Sequence, residues 1–132
     1  MIKVLIVDDN TVVRKGLIKL IAREVDIEVV GDAPDGLTAL DILNKYQDID
    51  IVLLDYNMPD MDGVGLTARI ASTSHPAKVI ILTMHRQTTF RDRAFVAGAK
   101  GYLLKGEDEE ELFAGIRAVY AGQAFISPTL SI

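Results

Sequence analysis

The stretch Val52-Leu53-Leu54-Asp55-Tyr56-Asn57-Met58-Pro59, "VLLDYNMP", is the clearest strand signal in the chain. Three apolar residues run into one carboxylate and the chain breaks at a proline. A short run with no polar face reads as a strand covered on both sides, which is the signature of a parallel sheet. Working outward, the same pattern recurs: Ile2 to Val7 before it, Ile27 to Val30 next, then Val79 to Leu82 ("VIIL") and Gly101 to Leu104 ("GYLL") after it. Between these runs the period changes to that of helices. Thr11 to Glu24 carries Val12, Val13, Leu17, Leu20 and Ile21 on one face, and Gly36 to Tyr46 carries Leu37, Leu40, Ile42 and Leu43. Shorter helical patterns cover Val64 to Ser72 and Thr88 to Ala97, and a closing one runs from Glu107 to Ala121 with Leu112, Ile116 and Val119 inward. Buried strands alternating with helices require right-handed crossovers and helices on both faces. The expected fold is α/β, a doubly wound five-stranded parallel sheet with five helices.

Composition bounds the function. The chain has 132 residues, 49% of them hydrophobic, which suits one domain with one core. Cysteine is absent, so disulfides and thiolate chemistry are excluded. A net charge of −5 argues against broad nucleic-acid contact by this chain. There is no run of the roughly 18 apolar residues a membrane helix needs, and no basic-then-apolar leader. The expectation is a soluble, cytoplasmic protein with no membrane association.

Ligands of doubly wound sheets bind beyond the carboxyl ends of the strands. Strand one delivers Asp8, Asp9 and Asn10 there, strand three Asp55 and Asn57, strand four Thr83, and strand five Lys105. In the order 2-1-3-4-5, strands one and three are neighbours and their carboxylates converge. Three such groups repel one another unless a cation intervenes. A hard divalent ion, Mg²⁺ or Mn²⁺, takes oxygen ligands and commonly combines one or two carboxylates with a phosphoryl oxygen. Asp9 and Asp55 are the candidates for direct ligation, with Asp8 behind a water. One carboxylate is then free to attack phosphorus, while Lys105 and Thr83 hold the phosphoryl oxygens. Asp55 is the candidate nucleophile. Two blander readings stand beside this one: Asp8 and Asp9 as helix caps, and Tyr102 as packing on an edge strand.

At these residues the chain resembles the receiver domain of two-component response regulators. The resemblance rests on "VDDN" at Val7 to Asn10, "LLDYNMPDMDG" from Leu53 to Gly63, "ILTMH" from Ile81 to His85 and "AGAKGYLLK" from Ala97 to Lys105. The last stretch is similar to the NarL/FixJ subfamily, whose members usually carry a LuxR-type helix-turn-helix domain. The resemblance implies the flavodoxin-like receiver fold and Mg²⁺-dependent self-phosphorylation and autodephosphorylation at Asp55, not conventional enzymatic turnover. It assigns Asp8, Asp9, Asp55 and the backbone carbonyl of Asn57 to the metal. Thr83 and Tyr102 become the switch pair and Lys105 the partner of the phosphoryl group, with Pro59 and Gly63 as turn residues. Implied partners are a sensor histidine kinase or small phosphodonor and a second copy of the chain when phosphorylated. DNA would be met only through an output domain absent from this chain, as expected of a transcription regulator. Residues 1–121 are then the receiver, and residues 122–132 ("GQAFISPTLSI") begin a linker. Many receivers place a cis proline after the lysine; Gly106 stands here, so no cis bond is expected.

Other functions fit less well. A haloacid-dehalogenase-type phosphatase needs a second aspartate two residues after the first, where this chain has Asn57. A flavin or dinucleotide binder wants a glycine- or hydroxyl-rich loop after strand one, where "VDDN" would repel phosphate. A receiver used as a phosphorylation-independent interaction module is the remaining alternative. His85 and Asn57 lie where they could shield or orient attacking water, and the charge run from Glu107 to Glu111 reads as a solvated first helical turn.

Overall fold

The computed structural model describes residues 1–106 and 108–130. Five strands, β1 (Ile2–Val7), β2 (Ile27–Ala33), β3 (Ile51–Asp55), β4 (Lys78–Thr83) and β5 (Gly101–Leu104), alternate with α1 (Thr11–Ile21), α2 (Gly36–Lys45), α3 (Gly63–Ala71), α4 (Thr88–Ala97) and α5 (Glu109–Tyr120). The sheet is parallel throughout, in the order β2-β1-β3-β4-β5 with a short sixth strand, β6 (Phe125–Ile126), beyond β5. Doubly wound architecture and strand order are as the sequence implied.

Alternation along each strand builds two cores. Leu5, Val7, Val52, Leu54, Val79, Ile81, Tyr102 and Leu104 face the side covered by α2, α3 and α4. Val4, Ile6, Ile51, Leu53, Ile80, Leu82 and Leu103 face the side of α1 and α5, where Ile21, Phe113, Ile116 and Val119 close the layer. Each strand therefore ends at the same rim with its side chains locked by packing, so the residues that follow start from fixed positions.

Several expectations shift. Strand β2 runs three residues past Val30, to Ala33, and the register slips opposite Val4 and Leu5. Gly31 and Asp32 conceal that extension because they lack the apolar, β-branched character typical of strands. Helix α1 ends at Ile21 rather than Glu24, and α5 is helical from Glu109; Glu107 lies outside the described residues. Val12 and Leu37, expected on inward faces, are exposed on the first turns of their helices.

The larger difference is the tail. Far from leaving the domain after residue 121, the chain turns back and pairs with β5, Gly101 opposite Phe125 and Tyr102 opposite Ile126. A 3₁₀ turn, Pro128–Leu130, follows and buries Leu130 in the core on the α4 side. Gly115 on α5 makes room: a Cβ there would lie 3.1 Å from the Phe125 ring and 3.2 Å from Leu103. The last two residues of the expected linker, 131 and 132, lie outside the described residues. No described peptide bond is cis, and among the described residues no helix is long and apolar enough to cross a membrane.

Candidate functional site

The site starts at the carboxyl end of β1. Asp8 is buried, 3% exposed, and its Oδ1 accepts the backbone N–H of Asn10 at 2.8 Å. Its carbonyl accepts from Arg14 Nη1 at 2.8 Å, while Arg14 Nε pairs with Asp32 at 2.9 Å. The capping of α1 falls to Asn10, whose side chain accepts from Val12 and Val13. Asp8 and Asp9 are thereby released from the capping role considered for them, and Asp9 stands exposed at the rim.

Asp55 ends β3 with 8% of its surface exposed. Each of Asp8, Asp9 and Asp55 offers a carboxylate oxygen, and these atoms lie within 4.8 Å of one another. Lys105, just past β5, answers them with Nζ 3.2 Å from Asp55 Oδ1 and 3.5 Å from Asp8 Oδ2. One ammonium against three carboxylates leaves an excess of negative charge. Burial pushes the Asp55 carboxyl above its usual range, Lys105 opposes that shift, and the Asp8 charge adds to it. An all-oxygen donor set with surplus negative charge and one exposed ligand fits a hard divalent cation of the Mg²⁺ kind.

Beyond Asp55 the chain makes a tight loop that re-enters α3. Gly63 N–H donates to the Tyr56 carbonyl at 2.6 Å, and Asp62 caps α3 through Gly65 N at 2.7 Å. Only glycine fits at position 63, because a Cβ would sit 2.8 Å from Leu54 Cδ1 and 2.9 Å from the Asp55 carbonyl oxygen. The Asn57 N–H reaches back to Asp55 Oδ1 at 3.4 Å, and its side-chain amide lies 3.1 Å from His85 Nε2.

Thr83 and Tyr102 both bond to the backbone of His85. Thr83, 1% exposed at the end of β4, accepts the His85 N–H on Oγ1 at 3.1 Å. Tyr102 is wholly buried, and its hydroxyl donates to the His85 carbonyl at 2.9 Å. Burial, with Tyr56 nearby, pushes the Tyr102 phenol up to about 12, so it stays a neutral donor. The edge-strand setting expected for Tyr102 is replaced by an interior one, since β6 covers β5. The His85 ring stacks on Phe90 at 4.2 Å, and both meet the Tyr56 ring edge-on at 5.1 Å. That aromatic cluster and the carboxylate of Asp60, which reaches α2, were not found by sequence reasoning. Their contacts join segments far apart in the chain, and no periodicity marks them.

The chain matches the family model described as the response regulator receiver domain over residues 4–117. It is 37% identical over 131 residues to the response regulator GacA of Pseudomonas aeruginosa, covering 99% of this chain and 61% of that protein. The transcriptional regulatory protein DegU of Brevibacillus brevis is 34% identical over 130 residues, 98% of this chain and 55% of the relative. The chain thus spans a little over half the length of these curated relatives. Among solved structures it is similar to a LuxR-family two-component response regulator from Aurantimonas sp., with a TM-score of 0.93 and 35% identity over 98% of this chain and 91% of that one.

Proposed function

Given that the chain belongs to the response regulator receiver family, within its LuxR-type branch, we propose that it takes a phosphoryl group onto Asp55 and transmits the modification through Thr83 and Tyr102. The observation that carries this reading is the convergence of three carboxylates within 4.8 Å, with Lys105 Nζ 3.2 Å from Asp55. Asp8, Asp9, Asp55 and the carbonyl of Asn57 would hold Mg²⁺, or Mn²⁺ in its place. When bound, the ion neutralises charge on the phosphoryl oxygens and on the attacking carboxylate.

The chain's own residues do the rest. A carboxylate oxygen of Asp55 attacks phosphorus, forming the acyl phosphate as the bond from phosphorus to the donor breaks. If the donor is a kinase phosphohistidine, the electron pair goes to the imidazole nitrogen, which takes up a proton; if it is acetyl phosphate, acetate leaves. Lys105 gives its ammonium to the charge spreading over the phosphoryl oxygens. Thr83 supplies a hydroxyl donor to the same group, since its Oγ1 only accepts from the His85 N–H and its own proton is not used in that bond. Hydrolysis by water returns the Asp55 carboxylate and inorganic phosphate.

A sensor histidine kinase is the proposed physiological donor, and phosphorylation is proposed to favour a homodimer that controls DNA binding by an output domain outside this chain. To test the site, chain treated with acetyl phosphate and Mg²⁺ is reduced with borohydride, which converts an aspartyl phosphate to homoserine. Peptide mass should place homoserine at position 55; homoserine elsewhere, or none, contradicts the assignment.

A further inference from the structure

The loop between Asp55 and α3 is clamped to the start of α2, the neighbouring helix on the same face of the sheet. Asp60 sends both carboxylate oxygens to the start of α2: Oδ1 accepts the Gly36 N–H and Oδ2 the Leu37 N–H, each at 3.0 Å. These are amides that the helix itself leaves unsatisfied, and its own cap, Asp35, serves a different one, that of Thr38. The hydrogen bonds from Gly36 and Leu37 hold the Asp60 carboxyl below its usual range. Met61 lies against the same turn: a Cβ on Gly36 would fall 2.8 Å from Met61 Cγ. At its other end the loop is closed by Gly63 N–H on the Tyr56 carbonyl. Asn57, Met58 and Pro59 are therefore strung between two fixed points.

We infer that Asp60 is a positioning residue for the metal site, holding the loop that presents the Asn57 carbonyl in its ligating place by anchoring it to α2. The inference rests on the proposed role of Asn57 and goes beyond it, because Asp60 touches neither metal nor phosphoryl group. Its carboxylate acts through the backbone. With the anchor in place the loop is ordered before the ion arrives; without it, ordering must be supplied on binding and weakens affinity. Asp60 thus differs from the three clustered carboxylates, which would contact or solvate the ion themselves.

The experiment uses Asp60→Ala and Asp60→Asn beside the unaltered chain. Mg²⁺ binding is titrated by calorimetry, amide exchange at Gly36 and Leu37 is read by nuclear magnetic resonance, and acetyl phosphate labelling is followed against Mg²⁺ concentration. For Asp60→Ala we expect about tenfold weaker Mg²⁺ binding and a matching rise in half-saturating Mg²⁺ for labelling, with the rate at saturation falling less than twofold. Asp60→Asn, which keeps one good acceptor, should fall between. Because Asp60 is exposed, both variants should fold, and retained protection of core amides checks this. Lost protection at Gly36 and Leu37 with Mg²⁺ affinity unchanged overturns the inference, as does a loss confined to the saturated rate. Should the unaltered chain take up no Mg²⁺, the metal reading falls and the inference with it; tight binding by the unaltered chain that Asp60→Ala leaves intact defeats the clamp alone.

Discussion

Asp55 is kept at an energetic disadvantage. Burial raises the pKa of its carboxyl in the folded chain above the unfolded value, so its contribution favours folding below the unfolded pKa and is lost as pH rises through the folded one. At neutral pH the ionised group opposes folding. Asp55→Asn should therefore raise the melting temperature at pH 7 without divalent metal, and the gain should shrink as pH falls into the carboxylate range. Thermal scans at pH 7 and pH 4 check both parts, and a less stable variant at pH 7 contradicts them. Mg²⁺ at about 100 times its dissociation constant should stabilise the unaltered chain by about 2.7 kcal/mol, and Asp55→Asn by much less. Thr83→Ala should slow acetyl phosphate labelling without abolishing it, while removing the spectral response of Tyr102 that accompanies it; an unchanged response would exclude Thr83 from the switch. At this scale the sequence was informative. Asp8, Asp9, Asp55, Thr83 and Lys105 each stand at a strand end, and strand ends are legible from apolar runs alone. What escaped was the partnering of side chains such as Asp60 with Gly36, and His85 with Phe90, which depends on how loops fold over one another.

Between residue and molecule the decisive element is the tail. Ser127 is fully buried; its N–H donates to the Tyr102 carbonyl at 3.0 Å and its Oγ accepts the Leu104 N–H at 2.9 Å. From α4, Arg91 Nη1 holds the Leu130 carbonyl at 2.7 Å. The strap thus bonds to the strand that carries Tyr102 and to the helix after Thr83. Ser127→Ala leaves the buried Leu104 N–H without its acceptor and should cost about 1–3 kcal/mol by denaturant unfolding; stability equal to the unaltered chain would show that the Ser127 hydroxyl contributes nothing to β5. Arg91→Ala should increase amide exchange in Ser127–Leu130 while sparing β1 and β3, and unchanged exchange would mean that α4 does not hold the strap. The sequence concealed this element for a physical reason. Two apolar residues, Phe125 and Ile126, are too few to show a period, and the following serine and proline read as the start of a linker. The same limit applied to β2, whose last three residues include a glycine and an aspartate that no strand pattern selects.

For the whole molecule, sheet order does the work that makes the site possible. Placing β1 beside β3 brings Asp8 and Asp9 to Asp55, and placing β4 and β5 next in line brings Thr83 and then Lys105 to the same rim. Cores on both faces hold those ends in position, so the carboxylates cannot relax apart without disturbing packed strands. The repulsion among Asp8, Asp9 and Asp55 is a consequence of topology as much as of residue type. This arrangement is what is proposed to let the chain accept a phosphoryl group at Asp55. Intact mass after incubation with acetyl phosphate, with Mg²⁺ and with chelator, beside Asp55→Asn, tests it most directly. A single phosphoryl adduct that requires both Mg²⁺ and Asp55 is the predicted result. No adduct at any time short enough to precede hydrolysis, or an adduct that persists in Asp55→Asn, would contradict it.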